Sequence, residues 1–377
     1  MAETQKLGRE ETADVIFGVS EVGDGLAIAH ILLNRPAQLN AMNTAMIAAI
    51  NRQLDSWEHD ERIVALGIAG AGDRAFCAGG DVVALRQMLV DSREHEVDSY
   101  FGQEYLLDTR LHQWSKPVII LTHGVCMGGG LGLMMTGSHR VVSPNMALAM
   151  PEAHIGFYPD VGACGFLSKL PDGVGRTLAL TGMTISSHDA YWLGLATAYV
   201  SDVGRATFWD RLAKLPWNSN EAHNHSIVNE FLMALSAEAL SAEAIGDAGA
   251  SQVGRHTEHF GQLSDEPGVE GFSDRLASLA SEVDYFQPVV TGLKGASPTS
   301  LVLTDSYYEL CRGRGVIEVI ANDMILASRA VRQPDFAEGV RSRLVTKGAA
   351  PCWQYDTVAE VDPSLIEGLL AGIVTGR

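Results

Sequence analysis

Three segments carry residues whose types and spacing could do chemistry. HGVCMGGGLGLMMTG (123–137) places Gly128, Gly129 and Gly130 directly after an apolar run and at the opening of an apolar helix. Glycine lets a ligand approach the backbone closely, and free N–H groups at a helix start favour negative charge. A tight strand–helix turn packed by small residues is the other reading of that run. The segment is neither GxGxxG nor GxxxxGKS/T, so both phosphate-binding signatures fail. AFCAGGD (75–81) is a second small-residue turn after an apolar run. Two N–H donors supplied by separate turns are what an oxyanion hole needs. Cys77 sits among small and apolar residues with no evident base, so it reads as packing and not as a nucleophile. MPEAHIGFYPDVGA (150–163) holds Glu152 and Asp160 in a stretch shaped by Pro151, Pro159, Gly156 and Gly162. Beside Ile155, Phe157 and Tyr158, such acids could be partly desolvated and shifted toward acid–base use. From spacing alone they read instead as two solvated loop acids.

The elements that must position these segments follow from hydrophobic period. Residues 14–33 read as a hairpin around Gly23-Asp24-Gly25. Asn43-Thr44 can cap a helix running to about His59, with Met46, Ile47, Ile50, Leu54 and Trp57 at helical spacing. Apolar runs at 63–68 and 118–122 read as buried strands, and 140–143 and 147–150 as further short ones. A long helical stretch covers about 82–115. Short strands alternating with helices predict an α/β architecture. After about residue 205 strand-like runs largely disappear, and 226–245, 273–284, 298–312 and 315–332 read as helices. The expected organisation is a polar tail (1–13), a catalytic core (14–205) and a helical C-terminal domain (206–377).

Composition narrows the partners. The 377 residues carry a net charge of −19, which argues against nucleic acid or an anionic membrane as a main partner. No stretch approaches the roughly 18 apolar residues of a membrane span. The N-terminus MAETQKLGREETAD has neither a signal-peptide apolar region nor the Arg-rich, acid-poor character of a transit peptide, which predicts a cytoplasmic protein. Five widely spaced cysteines without a CxxC pair read as reduced thiols. No metal or redox-cofactor motif is apparent.

The order of the three segments, the Asn34-Arg35-Pro36…Leu39-Asn40-Ala41 loop before them, and AFCAGGD resemble the crotonase (enoyl-CoA hydratase/isomerase) superfamily. Ser297-Pro298-Thr299-Ser300-Leu301 and Asp335-Phe336-Ala337-Glu338-Gly339-Val340-Arg341 resemble segments of its 3-hydroxyisobutyryl-CoA hydrolase branch. The resemblance implies a repeated ββα core with a helical C-terminal region. It implies that the Gly80 and Gly129 N–H groups hold an oxyanion at a CoA thioester carbonyl. Leu39, Ala41 and Ala78 would contact the CoA moiety, largely through backbone. The position of one hydratase acid is Gly132 here, which has no side chain to act, whereas Glu152 is retained and Asp160 replaces a usual glycine. Glu104 matches an acid lining the hydrolase substrate pocket; read from its helix alone, it is a solvated acid.

The implied reaction is hydrolysis of a short branched 3-hydroxyacyl-CoA, of the type that converts 3-hydroxyisobutyryl-CoA to 3-hydroxyisobutyrate and CoA in valine catabolism. Glu152 and Asp160 would be catalytic, and Glu104, Gly129, Glu152 and Asp160 would line the substrate. Coenzyme A enters only as part of the substrate, with no separate cofactor and no metal. A homo-oligomer is a further expectation of the resemblance. An enoyl-CoA isomerase or hydratase and a non-catalytic acyl-CoA-binding protein are the competing readings.

Overall fold

Val15–Gly23 (β1) and Leu26–Leu33 (β2) pair antiparallel with Val15 opposite Leu33. Gly23, Asp24 and Gly25 all take positive φ, and the register shifts between Glu21 and Gly23, which turns the chain tightly. The computed structural model describes residues 14–242 and 251–373. The expected tail (1–13) and the last residues of the helix expected over 226–245 lie outside them. Asn43 caps the helix Thr44–Glu58, its side chain accepting the Met46 N–H at 2.9 Å. The apolar residues picked out by period are the buried face of that helix.

Among the described residues eight more strands follow: Ile63–Gly70 (β3), Ala75–Cys77 (β4), Val118–Leu121 (β5), Val125–Met127 (β6), His139–Val142 (β7), Ala147–Ala149 (β8), Ile185–Ser186 (β9) and Ala198–Tyr199 (β10). They form a six-stranded sheet, β1-β2-β3-β5-β7-β10, and a four-stranded sheet, β4-β6-β8-β9. From β2 to β10 the larger sheet is parallel, as continuous apolar strands covered on both faces require. Each repeat sends its first strand (β3, β5, β7) into the large sheet and its second (β4, β6, β8) into the small one. The expected repeated ββα core of an α/β fold is what the chain forms.

Packing divides the described residues into two units. One takes in residues 14–80, 106–148, 185–242 and 251–254; the other takes in residues 81–105, 149–184 and 255–373. These differ from the contiguous segments 14–205 and 206–377 that the change of texture predicts. In the first unit, helix Glu221–Ala242 covers the large sheet. Its Val228, Leu232 and Leu235 join Ile28, Val64, Ile119 and Val141 in one buried cluster, and Ser236 Oγ accepts the Tyr199 N–H at 3.0 Å. An apolar helix face goes to the sheet face that needs covering, whatever its place in the chain.

In the second unit, Ser297 caps the helix Pro298–Cys311 by accepting the Ser300 N–H at 3.1 Å, with Pro298 in the first turn. Arg176 binds Asp305 through Nε at 2.7 Å and Nη2 at 3.1 Å, and also donates to the Glu266 and Gly268 carbonyls. The stretch expected to be helical over 82–115 is two helices, Val82–Val90 and Glu94–His112. Ser92, at φ +57°, ends the first, and the Arg93 N–H closes onto the Met88 carbonyl at 2.8 Å. Among the described residues no helix is long and apolar enough to cross a membrane.

Candidate active site

The two glycine turns meet because the strands that feed them are neighbours. β4 and β6 run parallel, with Ala75 opposite Val125 and Cys77 opposite Cys126. The turns that leave their carboxyl ends therefore emerge side by side, both within the first unit. Gly79 sits at φ +105°, and a Cβ there would lie 3.1 Å from the Met127 carbonyl oxygen and 3.3 Å from the Gly129 nitrogen. Gly130 is closer still: a Cβ would fall 2.2 Å from the Cys77 carbonyl oxygen. Glycine at these positions is required by contact. Gly129 is the first residue of the helix Gly129–Met135, so its N–H has no partner within that helix. Among the described residues no backbone carbonyl accepts the N–H of Gly80 or Gly129. Two free donors on adjoining turns can hold one developing negative charge.

The Leu39–Ala41 loop is stitched to the same turn. The Ala78 N–H donates to the Leu39 carbonyl at 3.0 Å, and the Met42 N–H to the Gly79 carbonyl at 2.9 Å. Leu39 and Asn40 have φ near +50°, +52° and +56° respectively. Buried Asn40 holds that shape. Its Oδ1 accepts the Arg35 N–H at 2.9 Å, and its Nδ2 donates to the Ala71 and Ala75 carbonyls, each at 2.9 Å. Arg35 Nη1 reaches the Ala41 carbonyl at 2.7 Å. Leu39, Ala41 and Ala78 remain partly exposed, open to a ligand. Asn40 and Arg35 were legible only as members of a loop motif; their work as its internal scaffold needed the hydrogen bonds.

The acids lie in the second unit. Glu152 opens a 3-10 turn, Glu152–Ile155, which ends at Gly156 with φ +72°. A Cβ on Gly156 would fall 2.1 Å from the Asp335 carbonyl, and one on Gly339 2.4 Å from Ile155. The Ser297 N–H also donates to the Ala153 carbonyl at 2.9 Å, and Ser297 Oγ to Asp335 Oδ2 at 2.6 Å. The two C-terminal segments singled out in the sequence therefore grip the turn that carries Glu152. Glu152 is buried, and among the described residues nothing donates to its Oε2. Burial, reinforced by the Asp160 charge, raises its carboxyl well above the ordinary range.

Asp160 is also buried and accepts the Tyr105 hydroxyl at 2.6 Å. Burial pushes its carboxyl up to about 6, with the Tyr105 bond pulling the other way. Glu104 is not a solvated helix acid: it is 3% exposed, and the Tyr100 hydroxyl lies 3.4 Å from its Oε1. Aromatic rings from the same elements pack against one another. Phe157 stacks on Phe101 at 5.7 Å and contacts Tyr158 at 4.8 Å and Phe336 at 5.7 Å. Sequence reasoning missed Tyr105 as a partner of Asp160, and no spacing signal links positions 55 residues apart.

Other features stand apart from this chemistry. Cys77, Cys126, Cys164 and Cys311 are buried, and burial raises the Cys126 thiol well above its ordinary range, so the Cys77–Cys126 pair is packing. Among the described residues no cluster of His, Cys, Asp and Glu is arranged to hold a metal. A surface cavity of about 440 Å³ in the first unit is lined by Glu58, His59, Lys116 and Glu221, and none of the candidate residues lines it.

The enoyl-CoA hydratase/isomerase family model matches residues 28–370. The chain is 34% identical to the mitochondrial 3-hydroxyisobutyryl-CoA hydrolase of Bos taurus, over 88% of this chain and 83% of that one. It is 32% identical to the small ribosomal subunit protein mS47 of Neurospora crassa, over 94% of this chain and 70% of that one. A carnitinyl-CoA dehydratase from Mycobacterium thermoresistibile has the same fold, with a TM-score of 0.78 at 27% identity, covering 96% of this chain and 97% of that one. The mitochondrial name corrects the cytoplasmic expectation, which rested on the composition of residues 1–14. The absence of transit-peptide character in a short polar stretch says too little about location to stand against such relatives. With the family model spanning nearly the whole chain and relatives above 30% identity along it, the chain belongs to the enoyl-CoA hydratase/isomerase family, the crotonase superfamily, as a CoA-thioester enzyme.

Proposed function

We propose that the protein hydrolyses a short branched 3-hydroxyacyl-CoA, with 3-hydroxyisobutyryl-CoA as the leading substrate and valine catabolism as its setting. The observation that carries this is the buried pair Glu152 and Asp160, together with Gly132 where a hydratase of the family has its other acid. A Glu152 carboxylate oxygen attacks the thioester carbonyl carbon. The Gly80 and Gly129 N–H groups stabilise the oxyanion. Collapse breaks the C–S bond, and CoA leaves as a thiolate that takes a proton. The mixed anhydride is opened by water, which returns the Glu152 carboxylate and releases the hydroxy acid. Asp160 accepts the proton of that water or orients Glu152. In a variant, Glu152 acts as general base for direct water attack. Single turnover in labelled water tests the anhydride: label in the Glu152 carboxylate requires water attack on the Glu152 carbonyl of an anhydride and rejects direct general-base hydrolysis. Leu39, Ala41 and Ala78 would carry the CoA portion and Glu104 would face the acyl group. Coenzyme A is part of the substrate, and no further cofactor is invoked.

A second reading, hydration or dehydration of an enoyl-CoA, is favoured by the name of the solved neighbour at TM-score 0.78. Thiol release across a panel of acyl-CoA esters, run beside crotonyl-CoA hydration, decides between them. Thiol release from the 3-hydroxyisobutyryl ester at least tenfold above hydration is expected. Hydration without thiol release sinks the hydrolase reading, and tight acyl-CoA binding with neither reaction supports a non-catalytic binder.

The pH dependence has opposite signs for activity and stability. Attack needs ionised carboxylates, so kcat/KM should fall as pH drops through about 6, where Asp160 titrates, and Glu152 lies on the same side. Stability runs the other way. Between the ordinary 3.8 and about 6 the folded chain keeps an Asp160 proton that the unfolded chain has lost. That contribution is complete below the ordinary value and is lost as pH rises through the folded one. Rate profiles and thermal melts over the same buffers check both signs.

A further inference from the structure

The acid loop contains a backbone conformation that its own sequence does not favour. Val161 has φ +51° and Gly162 follows at φ +75°. A β-branched residue in the left-handed region is an outlier that persists only where its surroundings over-determine it. The Ala163 N–H closes onto the Asp160 carbonyl at 2.8 Å, which shapes the bend without anchoring it. Asp160's side chain receives the Tyr105 hydroxyl, and that bond orients a carboxyl and leaves the backbone unheld.

The anchor comes from the helix Val316–Ala330. Asp323 is completely buried there. Its Oδ2 accepts the Gly162 N–H at 2.8 Å. Its Oδ1 accepts the Tyr158 hydroxyl at 3.2 Å and the Tyr307 hydroxyl at 2.8 Å. Tyr158 precedes Asp160 by two residues and Gly162 follows it by two. One carboxyl group therefore ties down the loop on both sides of Asp160, and Tyr307, edge-on to Tyr158 at 5.3 Å, braces the tie. The mechanism proposed above makes no use of this group.

We propose that Asp323 is a positioning residue for Asp160, locking the left-handed bend at Val161-Gly162 so that the Asp160 carboxyl is aimed at the reacting group. This rests on the reading that Asp160 takes part in hydrolysis. Small misplacements of a reacting group can cost about a hundredfold in rate. Asp323→Asn keeps the shape but offers only one acceptor oxygen to three donors.

The test is a double-mutant cycle on the full chain, with thiol release from 3-hydroxyisobutyryl-CoA as readout. Asp323→Asn should lower kcat about tenfold or more while KM changes less than twofold. In an Asp160→Asn background the same change should lower kcat less than twofold, because the aim of an absent carboxylate cannot matter. Tyr158→Phe removes one hydroxyl from the tie and should show the same dependence on Asp160 with a smaller loss; it carries the test if Asp323→Asn does not fold. Losses that multiply fully with that of Asp160→Asn show a merely structural role and overturn the proposal, as does wild-type kcat in Asp323→Asn. If Asp160→Asn itself turns over normally, the underlying reading of Asp160 is what fails.

Discussion

Glu152→Gln should abolish thioester hydrolysis, by on the order of 10³-fold or more in kcat, in a protein that remains folded. The amide matches the carboxyl in shape but is neither a nucleophile nor a base at neutral pH. The physical setting makes the substitution unusually clean. Burial already favours the uncharged form of Glu152, and the Asp160 charge adds to that preference. An uncharged amide therefore suits the site at least as well as the carboxylate, and the melting temperature should hold or rise. The proposed CoA contacts lie on Leu39, Ala41 and Ala78, which the change does not touch, so CoA affinity should stay within about twofold, a difference of under ~0.5 kcal/mol. Thiol release, thermal melting and calorimetric titration with CoA check the three parts. Turnover within a few-fold of wild type would remove Glu152 from the mechanism.

The second large effect concerns the oxyanion turns. In Gly130→Ala the new Cβ meets the Cys77 carbonyl oxygen at 2.2 Å, its carbon at 2.8 Å and its Cβ at 2.9 Å. All belong to a buried strand residue, and the nearest two are backbone, so relief requires the helix Gly129–Met135 to back away from β4. That movement separates the turns carrying the Gly80 and Gly129 N–H groups. Overpacking of this kind costs about 1–3 kcal/mol of stability. Loss of one oxyanion donor costs about 10²–10³ in kcat. Gly102→Ala is the matched control: it lies in the helix Glu94–His112 with nothing within 4 Å of the added methyl, so stability should be unchanged or up to about 1 kcal/mol higher. A Gly130→Ala protein with wild-type kcat would mean that the approach of these turns does not govern the reaction.

Period and turn chemistry carried most of the architecture. The hairpin, the Asn43 cap, the buried strands and the Ser297 cap are local matters, settled by side chains a few residues apart. The stretch at 82–115 was harder, because the break at Ser92 has no proline or glycine to announce it and depends on a single left-handed residue. The grouping of helices was hidden for another reason. Helix Glu221–Ala242 carries no mark saying which sheet it will cover, and its place beside Ile28 and Ile119 follows from which apolar surface was left open.

At the site the division is similar. Composition and motif determined that the chain has two glycine turns able to donate N–H groups, a Glu and an Asp in one shaped loop, and a glycine at position 132. Only the tertiary structure decided what those residues experience. β4 and β6 pair as neighbours, so turns about 50 positions apart in the chain adjoin. The rings of Phe101, Phe157 and Phe336 pack together from separate elements, and Tyr105 and Asp323 reach the Asp160 loop from distant helices. A carboxyl group's identity is written in one residue. Its pKa and its aim are properties of everything packed around it, and those neighbours are brought together only when the chain folds.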